Sequence, residues 1–239
     1  MKIEIIKCLQ DNYSYLIIDE EKKIACVVDP GESQPVINHL KNRKIDLKFI
    51  LNTHHHYDHI GGNIELKKKY NSKVVGFVND KDRIPEIDIL VEDGQIWKED
   101  NFISKIYHIP GHTSGHIAFH FFEQKLIFTG DTLFSLGCGK IFEGTYEQMF
   151  NSLNIIKNLS KDTLVYCGHE YTLQNSKFCI ANDPKNLKLI EKIKFIKERL
   201  KNNLPTLPTN LNDELNCNIF LKAKDLNSFI KLRDLKDNF

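Results

Sequence analysis

The amino-acid sequence predicts a strand-rich α/β protein with a mainly helical C-terminal appendage. Two observations carry this reading. Nine short β-branched or aromatic runs, each closed by a polar residue or glycine, fill the first two thirds of the chain. After His169 the texture changes to helical spacing followed by a proline-punctuated connection.

The strands expected in order are "KIEIIKC" (2–8), "YSYLIID" (13–19), "IACVVD" (24–29), "FILNT" (49–53), "KVVGFV" (73–78), "IYHIP" (106–110), "IAFHFF" (117–122), "LIFTGD" (126–131) and "TLVYCGH" (163–169). Between them, residues 60–70 and 146–159 carry apolar residues at three and four spacing, as in Met149, Leu153 and Ile156, and predict amphipathic helices that cover the sheets. Leu187, Ile190, Ile193, Ile196 and Leu200 predict one face of a long lysine-rich helix, with "NNLPTLPTNLND" after it.

A chain of 239 residues buries a core without disulfide or metal staples. Hydrophobic residues at 41%, charged residues at 27% and a net charge of +1 give no electrostatic footprint for nucleic acid or a membrane surface. No apolar run approaches the roughly 18 residues of a membrane span, and the N-terminus lacks a secretory core, so a cytoplasmic protein is expected; a monomer is the expected state as well. Cys8, Cys26, Cys138, Cys167, Cys179 and Cys217 show no C-x-x-C spacing and read as reduced thiols.

The stretch "THHHYDHIGG" (53–62) concentrates the chemistry. His54, His56, Asp58 and His59 follow an expected strand end, where a period of two would put His54 and His56 on one side and turn His55 away. Asp58 and His59 lie where a helix begins. Three further candidates follow glycines at other strand ends: His112 in "IPGHTSGH", Asp131 in "FTGDT" and His169 in "YCGHEY". His54, His56 and His112 suit one metal, Asp58, His59 and His169 a second, and Asp131 is a carboxylate able to bridge both. Zinc is the expected ion; the spacing equally admits iron or manganese. His39, His55 and His120 read as structural or exposed, and His108 and His116 as supporting groups. Asp29, in "VDPGE", fits either support of a ligand histidine or a simple strand-ending turn. Cys138 reads as structural. The residues alone support metal-dependent hydrolysis or metal-dependent oxidation.

With Thr53, His54, His56, Asp58 and His59 the chain resembles the metallo-β-lactamase superfamily, whose hallmark is T-H-x-H-x-D-H. That resemblance implies a four-layer αββα sandwich with a metal site at one edge. The segments "DNYSYLI", "THHHYDHIGGN", "GHTSGHI", "FTGDTLFSLGCGKIFEGT", "CGHEYT" and "LPTLPTNLNDELNCNIFLK" narrow it to the glyoxalase II family, the hydroxyacylglutathione hydrolases. The family's two-metal ligands fall on the seven positions above, and Asp58 would also orient the attacking water. Its glutathione-holding residues fall on Lys140, Tyr171 and Lys222, its first domain on residues 1–171 and its helical domain on 172–239. The implied reaction is hydrolysis of S-(2-hydroxyacyl)glutathione, with S-D-lactoylglutathione giving D-lactate and glutathione.

Two departures bear on substrate binding. The usual tyrosine of "GK-x-Y-E" is Phe142, and the usual arginine of "N-P-F-L-R" is Lys222, with Ile219 for the proline. The rival readings are a glutathione persulfide dioxygenase with a single iron on His54, His56 and Asp131, and a non-catalytic metal-binding protein. A β-lactam hydrolase would carry an export signal, and a nuclease a basic face.

Overall fold

The computed structural model describes all 239 residues, Met1–Phe239. Its contacts divide into two units, Met1–His108 with Gly115–Gln124, and Ile109–Ser114 with Lys125–Phe239.

The first unit begins with β1 (Lys2–Cys8), β2 (Asn12–Asp19) and β3 (Ile24–Val28), followed by α1 (Ser33–Leu40) and β4 (Asp46–Leu51). Next come α2 (Tyr57–Ile60), α3 (Asn63–Tyr70), β5 (Lys73–Phe77) and β6 (Ile87–Val91). These six strands form one sheet in chain order. The β1–β2 and β2–β3 pairs are antiparallel, whereas β3 through β6 run parallel. Parallel neighbours need crossovers, supplied here by α1, by α2 with α3, and between β5 and β6 by residues 78–86 with the short 3-10 turn Val78–Asp80. Alternate strand residues point to one face, so Leu16, Ile18, Ala25, Val27 and Ile50 meet Val36 and Leu40 of α1 and Leu66 of α3 in a single apolar core. The strands β7 (Ile96–Glu99), β8 (Phe102–His108) and β9 (Ile117–Phe121) pair antiparallel in succession.

In the second unit β10 (Leu126–Gly130) is followed by a two-stranded hairpin, β11 (Leu133–Phe134) and β12 (Gly137–Cys138). Then come α4 (Tyr146–Lys157) and β13 (Leu164–Cys167), which lies parallel to β10. The chain continues as α5 (Thr172–Asn182), α6 (Leu187–Lys201), β14 (Thr209–Asn210), α7 (Leu211–Cys217) and α8 (Leu226–Asp237). Helix α4 starts on a reciprocal capping box between Thr145 and Gln148 and buries Met149, Leu153 and Ile156, as its spacing predicts. The rings of Phe178, Phe220 and Phe229 build the helical core, with centroids 5.9 and 6.1 Å apart in succession.

All nine expected strands form. The helix expected over residues 60–70 is instead two helices, because Gly61 and Gly62 interrupt it and Gly62 packs its N–H on the Pro30 carbonyl. Helix α1 carries Pro35 in its first turn, where proline is tolerated, and no element is expected from the sequence over its residues. Strands β6 and β7 alternate between exposed and covered residues without a strong apolar run. On α6 the buried residues are Leu189 and Ile196, and Leu187 is exposed, so the expected face is rotated at its start. All six cysteines are buried free thiols. No helix is long and apolar enough to cross a membrane.

Candidate metal and substrate site

In the first unit, the loop after β4 is pinned before it reaches the histidines. Asn52 and Asn63 exchange side-chain amide contacts at 2.7 and 3.4 Å, and Asn52 Nδ2 also donates to the His59 carbonyl at 3.2 Å. Thr53 donates its N–H and its hydroxyl to the two carboxylate oxygens of Asp29 at 2.8 and 2.6 Å. Asp29 holds a left-handed backbone, φ 48°, directly after β3, so it both ends the strand and supports the loop.

These bonds determine which nitrogen of each histidine carries the proton. A carboxylate only accepts, so the Thr53 hydroxyl proton goes to Asp29, and His54 Nδ1, 3.0 Å from the same hydroxyl oxygen, is the donor to it. His59 Nδ1 lies 3.1 Å from Asp29 Oδ2 and donates there. Both rings therefore keep the lone pair on Nε2, the tautomer a metal ligand needs. His59 Nε2 is 3.6 Å from Asp58 Oδ2.

His54 and His56 do come together, with ring centroids 4.7 Å apart, but not through strand period. Strand β4 stops at Leu51, and His56 is the N-cap of α2. His55 turns away toward the buried Asp80, which also binds Arg83. Asp58 and His59 both sit on the single turn of α2. His116 stacks on His54 at 4.6 Å, whereas His108 stacks on Phe77 and His39 pairs with Glu4. His120 is buried, which with Lys105 nearby lowers its pKa.

In the second unit, His112, Asp131 and His169 converge. His112 Nδ1 faces the Lys140 carbonyl at 2.8 Å and can only donate to it, leaving the lone pair on Nε2, 3.5 Å from Asp131 Oδ2. His169 Nε2 lies 3.2 Å from the same oxygen. Gly111 and Gly130 have positive φ, 145° and 45°, as a sharp turn before a ligand requires, whereas Gly168 does not. Gly139 is needed for close approach, since a Cβ there would stand 1.9 Å from the Asp131 carbonyl oxygen.

A cleft of about 320 Å³ in this unit is lined by Phe134, Lys140, Tyr171, Gln174, Arg233 and Lys236. Tyr171 stacks on His169 with centroids 4.7 Å apart and planes 7° apart, and Lys140 Nζ lies 5.8 Å from the Phe142 ring centroid. Lys222 does not line this cleft; it forms an ion pair with Asp183. Arg233 and Lys236, three residues apart on α8, escaped the sequence reading, although two cations one turn apart near the end of a helix are a readable signal. Arg233 is buried and donates to the Cys138 carbonyl at 2.9 Å and to Asp237 at 2.8 Å. Burial and the Arg233 charge lower the Lys236 pKa. Cys138 is a poor nucleophile because burial pushes its thiol up.

The hairpin that forms one wall is held from behind. Glu214, fully buried on α7, accepts from the Leu136 N–H at 2.7 Å, Ser135 at 3.2 Å, Thr209 at 2.6 Å, Asn218 at 3.1 Å and Lys192 at 2.9 Å. A larger cavity of about 560 Å³, bordered by Lys192, Phe195 and Cys217, holds none of the expected site residues.

Comparison with known proteins identifies the family and the fold. The metallo-beta-lactamase superfamily profile matches residues 10–169, and the hydroxyacylglutathione hydrolase C-terminus profile matches residues 170–239. A hydroxyacylglutathione hydrolase of Pelagibacter ubique is 65% identical over the full length of both chains. Among solved structures, ETHE1 from Myxococcus xanthus superposes with a TM-score of 0.75 at 24% identity, over 98% of this chain and 90% of that one, which shows the fold. TTHA1623 in a di-iron-bound form superposes with a TM-score of 0.58 at 25% identity, over 71% and 92%. Imidazoles with one nitrogen committed to an acceptor, beside carboxylates, form a donor set for divalent metal ions. With an α/β metallo-β-lactamase fold, this donor set and the helical C-terminal region matched along its whole length, the chain belongs to the hydroxyacylglutathione hydrolases, the glyoxalase II family.

Proposed function

We propose that the chain hydrolyses S-D-lactoylglutathione to D-lactate and glutathione at a two-metal site. His54, His56 and His112 would hold one ion, Asp58, His59 and His169 the other, and Asp131 both, with zinc as the ion and iron or manganese as substitutes. The observation that supports this most is the tautomer of three histidines, His54, His59 and His112, each with Nδ1 committed to an acceptor. When bound, the ions supply a water activated near neutral pH and polarise the thioester carbonyl.

The chain's own residues do the rest. Asp58 orients the water. A thiol of pKa about 8.5 leaves without strong acid assistance, so the scarcity of spare acids is no obstacle. Tyr171 and Lys140 hold the glutathione, and the ammonium of Lys236 attracts one of its carboxylates in the same cleft. Lys222 is a further proposed contact, reachable by a carboxylate that competes with Asp183. Phe142 brings no hydroxyl to the peptide part of the substrate. The domain limits 1–171 and 172–239, a monomeric state and cytoplasmic residence belong to the same proposal.

The test is thiol release from S-D-lactoylglutathione by the purified protein, with metal content measured on the same sample. Release with about two metal ions per chain, lost in Asp58→Ala, supports the reading. A fully metallated protein that releases no thiol overturns it, and oxygen uptake with glutathione persulfide would then favour the single-iron dioxygenase.

A further inference from the structure

Asp58 is one of the proposed ligands on the loop and turn after β4. It sits on a helix of four residues, and its side chain is 38% exposed. A helix of that length is marginal by itself. Yet Asp58 is gripped twice from outside its own helix. The Nδ2 group of Asn12 donates one hydrogen to Asp58 Oδ2 at 2.9 Å and the other to the Asp58 carbonyl at 3.1 Å. On a second side Gly31 approaches so closely that a Cβ there would stand 2.2 Å from the same carbonyl oxygen.

We infer that Asn12 is a positioning residue for Asp58 in the thioesterase reaction, which rests on the function proposed above. One amide nitrogen that ties a carboxylate to its own backbone carbonyl restricts both χ angles of the aspartate, because the fork fits one rotamer. Asn12 is 94% buried, at the start of β2 and opposite Cys8 in the β1–β2 register, so its side chain is packed on a paired strand. The hydrogen bond falls on Oδ2, the oxygen that stands 3.6 Å from His59 Nε2, so it orients the carboxylate on the side of the proposed ligands. An asparagine serves where a cation would not: a lysine or arginine here would neutralise the charge that Asp58 brings, whereas a neutral amide orients it and leaves it intact. Aspartate at position 12 would remove the donor and set two carboxylates against each other.

The test compares the parent with Asn12→Ala and Asn12→Asp, the latter keeping the size of the side chain should the former fail to fold. Each is assayed for kcat and KM with S-D-lactoylglutathione, for metal ions per chain by elemental analysis, for the visible spectrum of the cobalt-substituted protein, and for thermal midpoint. Positioning predicts a kcat about 10- to 100-fold lower with KM within about twofold, a changed cobalt spectrum and, in Asn12→Asp, weaker retention of the second ion. A lower thermal midpoint with kcat, metal content and cobalt spectrum all unchanged would overturn it, leaving Asn12 as a tie between hairpin and helix. If the parent itself releases no thiol, the proposed reaction fails while the metal and cobalt measurements still decide the role of Asn12.

Discussion

Nδ1 of His59 lies 3.1 Å from Oδ2 of Asp29, an oxygen that also accepts the Thr53 hydroxyl at 2.6 Å. One buried carboxylate thus orients His59 directly and His54 through Thr53. Removing such a support commonly costs 10- to 100-fold in metal affinity. Asp29→Ala is therefore expected to weaken metal binding by about that factor, read by competition with a chromophoric chelator. Unchanged affinity would reduce Asp29 to a strand-ending turn residue.

Glu214 is expected to matter for stability and for the cleft together. Glu214→Ala leaves the Leu136 N–H and the Lys192 ammonium without their carboxylate, and breaking a buried charged pair typically costs about 3 to 5 kcal/mol. Urea unfolding should show that loss. In the fraction that folds, KM should rise more than kcat falls, since the hairpin carries cleft residues and the proposed histidine ligands lie elsewhere.

Lys236 gives the pH dependence. Burial first, then the Arg233 charge, lowers its pKa below that of an ordinary lysine, so its positive charge is lost at a lower pH than usual. KM for the glutathione thioester should consequently climb on the alkaline side before ordinary lysines titrate. Lys236→Ala should raise KM about tenfold at neutral pH, in line with a lost charge-assisted hydrogen bond, and should flatten that alkaline limb. A limb that persists in the variant would assign it to another group.

The two departures from the family pattern can be reversed. Phe142→Tyr restores a hydroxyl beside Lys140, and Lys222→Arg offers a guanidinium that can keep one nitrogen on Asp183 and present another. Each is expected to lower KM by a few-fold, on the order of one neutral hydrogen bond, with kcat unchanged. Equal KM for the parent and Lys222→Arg would remove Lys222 from the glutathione site.

Much of the candidate site was legible in the chain. "THHHYDHIGG" placed four donors within six residues, and the glycine-preceded His112, Asp131 and His169 marked the ends of further strands. Strands whose residues are buried throughout, such as β3, β9 and β10, announce themselves because covered backbone demands β-branched and aromatic side chains on both faces. Edge strands such as β6 bury only alternate residues and leave a fainter trace. On α6 the apolar residues surround more of the helix than one face needs, so spacing alone did not choose Leu189 over Leu187.

By itself, the sequence determined the types and order of the candidate ligands, the strand-rich first part and the helical close, since these follow from local spacing and composition. Only the tertiary structure decided which partner each of those residues meets. Asn12 reaches Asp58 across 46 positions, and Arg233 reaches Cys138 across 95. Contacts of that kind leave no period in the chain: an asparagine before a strand or an arginine on a helix reads as ordinary until the fold brings a carboxylate or a carbonyl within 3 Å of it. The protonation of His54, His59 and His112 belongs to the same class, because the acceptor facing each Nδ1 is set by how backbone and side chains pack, and spacing carries no record of it.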